Sequence, residues 1–433
     1  MSNTESVAKR AQVQSMVPFF IIWTGQAFSL LGSHLVQFAL IWWLTESTGS
    51  ATVLTLATMM TVIPYVFLSP VTGTLVDRWN RRLVIMVADS AIALATVMLA
   101  VLFALDFKEV WGVFLLLFIR AIGSAFHSPA MMASTTLMVP EKHYSRIAGL
   151  NNALWGAMSI VAPPLGALLL EILPLQGILA IDVGTALLAI APLFFISIPQ
   201  PERRQAPQMA VTKPSVLDDL IEGLRFIGRW PGLMMLIGVY AMVHLLSAPA
   251  RALMPLLVTE HFKGGALQLA WLQSAVGIGL VAGGLTLGIW GGFKRRMVTA
   301  MLALALMGVS RAVIGLTPAT AFPLAVGGQF LVGFAVSFVL SLRLAVLQAS
   351  VPPEMQGRVI TVALNGTAAT DPVGLAIAGP LADILGVRIW YVLGGIVTIA
   401  MGVGSFFVPA IMHIEDRAHL VPQTVEKTAT GGD

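Results

Sequence analysis

Apolar residues fall in twelve long blocks separated by short turns rich in Gly, Pro, Asn and charge. The blocks run near 17–44, 51–76, 83–105, 110–139, 147–173 and 177–198, then 231–258, 267–291, 297–317, 321–350, 359–385 and 389–411. A helix needs about 20 apolar residues to cross the hydrocarbon layer of a membrane, and every block is long enough. One long polar stretch, 199–229, interrupts the series with prolines at 199, 201, 207 and 214. Its last part, 217–227, predicts an amphipathic helix. The expected organisation is a tail (1–16), a six-helix bundle (17–198), a linker (199–230), a second six-helix bundle (231–413) and a tail (414–433). The fold class is an all-α membrane protein with twelve transmembrane helices. The first block is too long for a signal peptide and carries no small-residue cleavage site, so it is expected to remain as a span.

Composition narrows the picture. With 57% hydrophobic and 11% charged residues, the chain cannot furnish the surface of a soluble domain, where roughly a quarter of residues are charged. The absence of cysteine excludes disulfides and thiolate-bound metal. Lys and Arg are distributed unevenly between the turns. One set holds eighteen: Lys9, Arg10, Arg78, Arg81, Arg82, Lys142, Arg146, Arg203, Arg204, Lys213, Arg225, Arg229, Lys294, Arg295, Arg296, Arg358, Arg417 and Lys427. The opposite set holds three: Lys108, Lys263 and Arg388. Positive residues are retained on the cytoplasmic side, so both termini and the linker are expected there. The modest net charge of +4 then reflects topology and does not call for a nucleic-acid partner.

The chain also repeats itself. Val139-Pro140, Arg146 and Glu171-Ile172-Leu173 recur 212 positions later as Val351-Pro352, Arg358 and Asp383-Ile384-Leu385. Gly123-x-Ala125 recurs as Gly333-x-Ala335, and Gly73 with Arg81-Arg82 finds a weaker echo in Gly288 with Arg295-Arg296. A parallel duplication of six helices predicts two halves that enclose a midplane cavity and rock about it, as transporters do.

Particular motifs carry a family resemblance. Gly73-Thr74-Leu75-Val76-Asp77-Arg78-Trp79-Asn80-Arg81-Arg82 resembles the loop 2–3 signature of the major facilitator superfamily. Phe118-Ile119-Arg120-Ala121-Ile122-Gly123-Ser124-Ala125-Phe126-His127-Ser128-Pro129-Ala130 resembles the fourth helix of Mef-type macrolide efflux proteins. Trp23-Thr24-Gly25-Gln26 and Leu44–Ala51 are similar to the first helix and loop of the same proteins. The resemblance implies a drug:proton antiporter of the bacterial inner membrane that exports amphipathic organic molecules, macrolides first. It implies no cofactor beyond the proton gradient, surrounding lipid as the only other partner, and a monomer. It also implies that Asp77 and Arg78, with Gly73, Arg81 and Arg82, belong to a gating loop whose acid latches one face shut. The second copy of the loop, Gly288–Arg296, has glycine in place of the acid, so such a latch is one-sided. Siderophore or other metabolite export is an alternative within the fold, and a non-transporting sensor is an alternative outside it.

Several intramembrane residues are expensive unless they have work to do. Arg120 sits mid-block, where an arginine costs about 2.5–3.5 kcal/mol even on the lenient insertion scale. It shares a helical face with Ser124 and His127. A second stripe joins Tyr240, His244, Ser247 and Arg251. Asp371 near the centre of the eleventh block reads as the only acid at mid-depth and the first proton-carrier candidate, with His34, His244 and Arg120 as further candidates. A static pair with Arg343 is the competing reading of Asp371. Gln26, Ser33 and Gln37 on the first block, and Asn152 and Trp155 on the fifth, are expected along the cavity. Interhelical packing is the alternative for the first group. Asp89, Glu171, Asp182 and Asp383 are expected near wet helix ends. No hydrolase triad, metal-ligand cluster or phosphate-binding loop is visible.

Overall fold

The computed structural model describes residues 15–200 and 216–415, and every regular element in them is helical. The predicted tails up to residue 14 and from 416, and the linker segment 201–215 with its prolines and basic residues, lie outside the described residues. Among those described, twelve stretches are long and apolar enough to cross a membrane.

The first six are α1 (Val17–Thr48), α2 (Ala51–Arg78), α3 (Arg81–Ala104), α4 (Val110–Met138), α5 (Tyr144–Ile172) and α6 (Leu175–Phe195). The linker contributes α7 (Val216–Arg229), close to the predicted amphipathic helix. The second set comprises α8 (Pro231–Ala252), α9 (Ala266–Trp290), α10 (Arg296–Leu316), α11 (Phe322–Ser350), α12 (Pro353–Ala368), α13 (Asp371–Leu385) and α14 (Arg388–Gly404). Local chemistry sets the boundaries. Gly49 ends α1 in the left-handed region at φ 58°, and Ser50 Oγ caps α2 by accepting from the Val53 amide at 3.3 Å. Asn80 Oδ1 caps α3 the same way through Leu83 N at 3.3 Å.

Two blocks depart from the prediction. The eleventh is two helices, α12 and α13, broken at Ala369-Thr370. Pro372 has no N–H to give and its ring crowds the preceding turn, so the helix restarts with Asp371 in its first turn. The Thr370 hydroxyl lies 2.7 Å from the Thr367 carbonyl and 3.0 Å from the Ala241 carbonyl of α8, satisfying groups the break frees. The seventh block ends at Ala252 and continues as a short turn and a π-helical turn, Leu257–His261.

Packing repeats along with sequence. Within the first half α1 packs on α6, α2 on α4, α3 on α4 and on α6, and α1 on α5. Within the second half the equivalent pairs are α8 with α14, α9 with α11, α10 with α11 and with α14, and α8 with α13. The α9–α11 seam is especially close: a methyl group on Gly279 or Gly333 would run into the carbonyl of Phe330 or Val276. The halves meet through α5 with α9 and α2 with α13, and exchanging the halves maps one join onto the other. Since α6 ends and α8 begins at the linker, that side is termed the linker face and the opposite side the far face. Arg358 bonds Asp219 at 2.6 Å and Glu222 at 2.7 Å, bolting α7 to the start of α12.

Candidate functional site

A cavity of about 490 Å³ lies between the halves. The first half contributes α1, α2 and α5, with His34 and Gln37 among the lining side chains. The second contributes α8 to α11 and α14, including Arg251, Arg311, Gln273 and Gln329. Aliphatic and aromatic groups make up most of the remaining wall, so the site presents a few polar groups in an apolar setting, as small-molecule sites generally do.

Asp371 stands behind the second-half wall, in contact with the lining Arg251. The residue is 7% exposed, and its carboxylate stands between an imidazole and a guanidinium. His244 Nδ1 lies 3.1 Å from Oδ1, and Arg251 Nη2 donates to Oδ2 at 3.4 Å. The structure thus unites Asp371, His244 and Arg251, three residues the sequence placed on two separate blocks. It does not pair Asp371 with Arg343. That guanidinium lies over the Tyr240 ring, 5.4 Å from its centroid, and donates to Thr367 Oγ1 at 3.4 Å. The break between α12 and α13 explains the difference: restarting the helix turns Asp371 toward α8 while Thr367, one turn earlier, faces Arg343.

The first half holds two further clusters, and both require a correction. Asp89 and Asp182 are not at wet helix ends; they are 5% and 1% exposed, so Asp371 is not the only buried intramembrane acid. Arg120 Nη1 donates to Asp182 Oδ2 at 2.6 Å and to Thr96 Oγ1 at 2.9 Å. Ser33 Oγ reaches the other Asp182 oxygen at 3.4 Å. Two turns away, Gln26 donates to Asp89 at 2.8 Å and lies 3.0 Å from His127 Nε2, which is itself 3.4 Å from Asp89. The expected Arg120–Ser124–His127 stripe is therefore split between two acids, and Ser124 is exposed. An arginine inside the bundle demanded a counter-charge, and Asp182 supplies it across the helix packing.

The remaining predicted residues sort as follows. His34 lines the cavity with Trp155 edge-on to it at 5.8 Å between centroids. Asn152 is exposed; its neighbour Asn151 makes the cross-helix bond, accepting from Trp23 Nε1 at 2.8 Å. In the loop between α2 and α3, Asp77 pairs with Arg81 of the same half at 3.3 Å and not across the halves as expected. Here the acid lies one turn from a ready cation, which satisfies it locally. Arg81 also donates to the Ala133 carbonyl at 3.0 Å, and Arg82 to the carbonyls of Leu193 and Phe194, so both pin α3 to α4 and α6. Gly73 and Arg78 are exposed.

The contact that does span the halves at an end lies on the far face. Asp383, at the end of α13, accepts from the backbone amides of Ala51 (2.6 Å) and Thr52 (3.1 Å) and from the Thr52 hydroxyl (2.6 Å). An acid of one half thus caps a helix of the other, where free amides and the helix dipole favour negative charge. Beside it, burial pushes the Glu260 carboxyl up; Lys263 opposes the rise and the Asp383 charge adds to it. Arg311 was not singled out in the sequence, although the rule that flagged Arg120, a cation inside an apolar block, applies to it equally.

Residues 22–249 and 236–428 match the sequence profile described as Major Facilitator Superfamily. The chain belongs to the major facilitator superfamily. It is 33% identical over 385 residues to Macrolide efflux protein A of Streptococcus pyogenes, spanning 89% of this chain and 94% of that protein. It is 28% identical over 394 residues to Multidrug efflux pump Tap of Mycolicibacterium fortuitum, again 89% and 94% of the two chains. The crystal structure of nucleoside transporter NupG superposes with a TM-score of 0.68 at 14% identity, covering 90% of this chain and 99% of that one, which establishes the shared fold. The chain is therefore a multi-pass bacterial membrane transporter of this superfamily, related to macrolide and multidrug efflux proteins.

Proposed function

We propose that this transporter exports amphipathic organic molecules, macrolide antibiotics first, in exchange for protons and by alternating access. One observation carries the reading: Asp371, a buried carboxylate directly behind the cavity-lining Arg251, is held by that arginine and by His244, which can each take or release it. Proton binding at Asp371 loosens its hold on Arg251 and His244, and proton loss restores it. A group whose partners change with protonation biases a two-state equilibrium. A transmembrane potential supplies about 2.3 kcal/mol per charge for each 100 mV, enough to drive accumulation without nucleotide hydrolysis.

In this proposal the linker face is cytoplasmic, as the basic turns favour, and the protein works as a monomer in the inner membrane in two bundles, 17–198 and 231–413. The Asp383 cap then seals the external side. Asp77 and Arg78 serve the opposite state, in which the cytoplasmic side closes. No catalytic step is proposed.

The test is proton movement in everted vesicles on adding erythromycin. Wild type is expected to release protons from the vesicle lumen, and Asp371→Asn to release none while inserting normally. Asp371→Asn with full proton-coupled efflux refutes the carrier assignment. Silence from wild type refutes the macrolide assignment and favours a metabolite exporter.

A further inference from the structure

The cavity wall contains a charge that the mechanism above does not use. Arg311 sits on α10, only 5% exposed, and lines the cavity. Its one hydrogen bond among the described residues is from Nη1 to Ser247 Oγ at 2.6 Å. Ser247 can accept because its own proton goes to the Val243 carbonyl at 2.5 Å. The Tyr391 hydroxyl nearby is committed to the Ala250 carbonyl at 2.6 Å. No carboxylate pairs with Arg311, and the charge acting on it from the same wall is the like charge of Arg251. Arg251 is 57% exposed in its side chain and shares Asp371 with His244. Among the described lining residues the basic side chains are these two arginines and His34; no carboxylate lines the cavity, and Asp371 reaches it only through Arg251.

An unpaired guanidinium away from water is costly, and in an apolar bundle it is kept where something else completes it. The first half shows the contrast, since Arg120 has Asp182. We propose that Arg311 and Arg251 form an anion-binding subsite in the transport cavity, selecting amphiphiles with a carboxylate head group. The guanidinium fork suits a carboxylate, and the apolar wall formed by Phe38, Ile41, Val332 and Val336 receives the rest of the molecule. A basic amine meets like charge at this subsite and binds it worst, so a macrolide, itself an amine, would set its amino sugar elsewhere along the cavity. The inference rests on the export reading for its biological meaning, but binding itself can be measured without transport.

The full chain in lipid nanodiscs is titrated calorimetrically with 1-naphthaleneacetate, neutral 1-naphthaleneacetamide and 1-naphthylmethylamine, with empty discs subtracted. The expected order is acid, then amide, then amine, with the acid tighter than the amide by about tenfold, the scale of one hydrogen bond to a charged group. Arg311→Gln should abolish that preference and Arg311→Lys should keep part of it. If Arg311→Gln fails to fold, Arg251→Gln on the open side of the subsite reads the same preference. Equal binding of acid and amide by wild type, no binding of the acid, or an unchanged preference in a folded Arg311→Gln overturns the proposal. Erythromycin-driven proton release in vesicles separates the two readings. Macrolide flux without acid preference refutes only this subsite; acid preference without macrolide flux refutes only the macrolide assignment.

Discussion

Removing one partner of the Arg120–Asp182 pair would leave a full charge stranded between α3, α4 and α6. Breaking a buried pair from one side costs about 3–5 kcal/mol, whereas replacing both partners by apolar groups of similar volume is often neutral. Asp182→Ala should therefore lower the thermal midpoint of the purified protein sharply, and Arg120→Met with Asp182→Leu should recover most of it; an undisturbed midpoint in the single variant would show the pair to be expendable. Residue chemistry was only partly legible in the sequence. Arg120 and Asp371 declare themselves because a charge in an apolar block needs a reason. Their partners do not, because the 62 positions between Arg120 and Asp182 and the 127 between His244 and Asp371 close only through helix packing. Asp89 and Asp182 looked wet because position along a block says little about which side of a helix faces its neighbours.

At the scale of elements, the capping of α2 by Asp383 is a bond between halves that the alternating access proposed above requires to break in the opposite state. Loss of a capping acid costs about 1 kcal/mol, roughly a fivefold change in a two-state population. Asp383→Ala should shift the ensemble toward separation at the far face. Spin labels on Glu46→Cys and Leu385→Cys can report it, and the chain has no native cysteine to interfere. A distance distribution identical to that of the unsubstituted pair would remove the cap from the gating account. The helices themselves were legible, since their apolar runs are long and their caps, Ser50 and Asn80, stand in plain view. The break before α13 was not. A proline follows Asp371 in the sequence, yet the break rests also on Thr370 finding Ala241 on a different helix.

For the whole molecule, buried charge is divided unequally. The first half encloses Asp89 and Asp182 against Arg120, with His127 at hand; the second holds Arg311, Arg343 and the more open Arg251 with a single buried acid, Asp371, and His244. Twofold packing symmetry, foreshadowed by the 212-position repeat, therefore carries asymmetric chemistry, because helix packing constrains small residues at seams and leaves cavity side chains free to diverge. The linker also takes sides. Arg358→Glu should detach α7 from α12, and hydrogen exchange across 216–229 should accelerate by at least about tenfold while the spans stay protected; unchanged exchange would mean that other contacts hold the helix.

That attachment makes α12 a lever. Its 16 residues, about 24 Å long, carry the linker helix at one end and meet Asp371 just past the other. Whatever grips α7, whether another protein or an antibody raised against it, pulls on the strut that aims the carboxylate. Such a binder is expected to stall the transporter from the membrane surface without ever competing for the cavity.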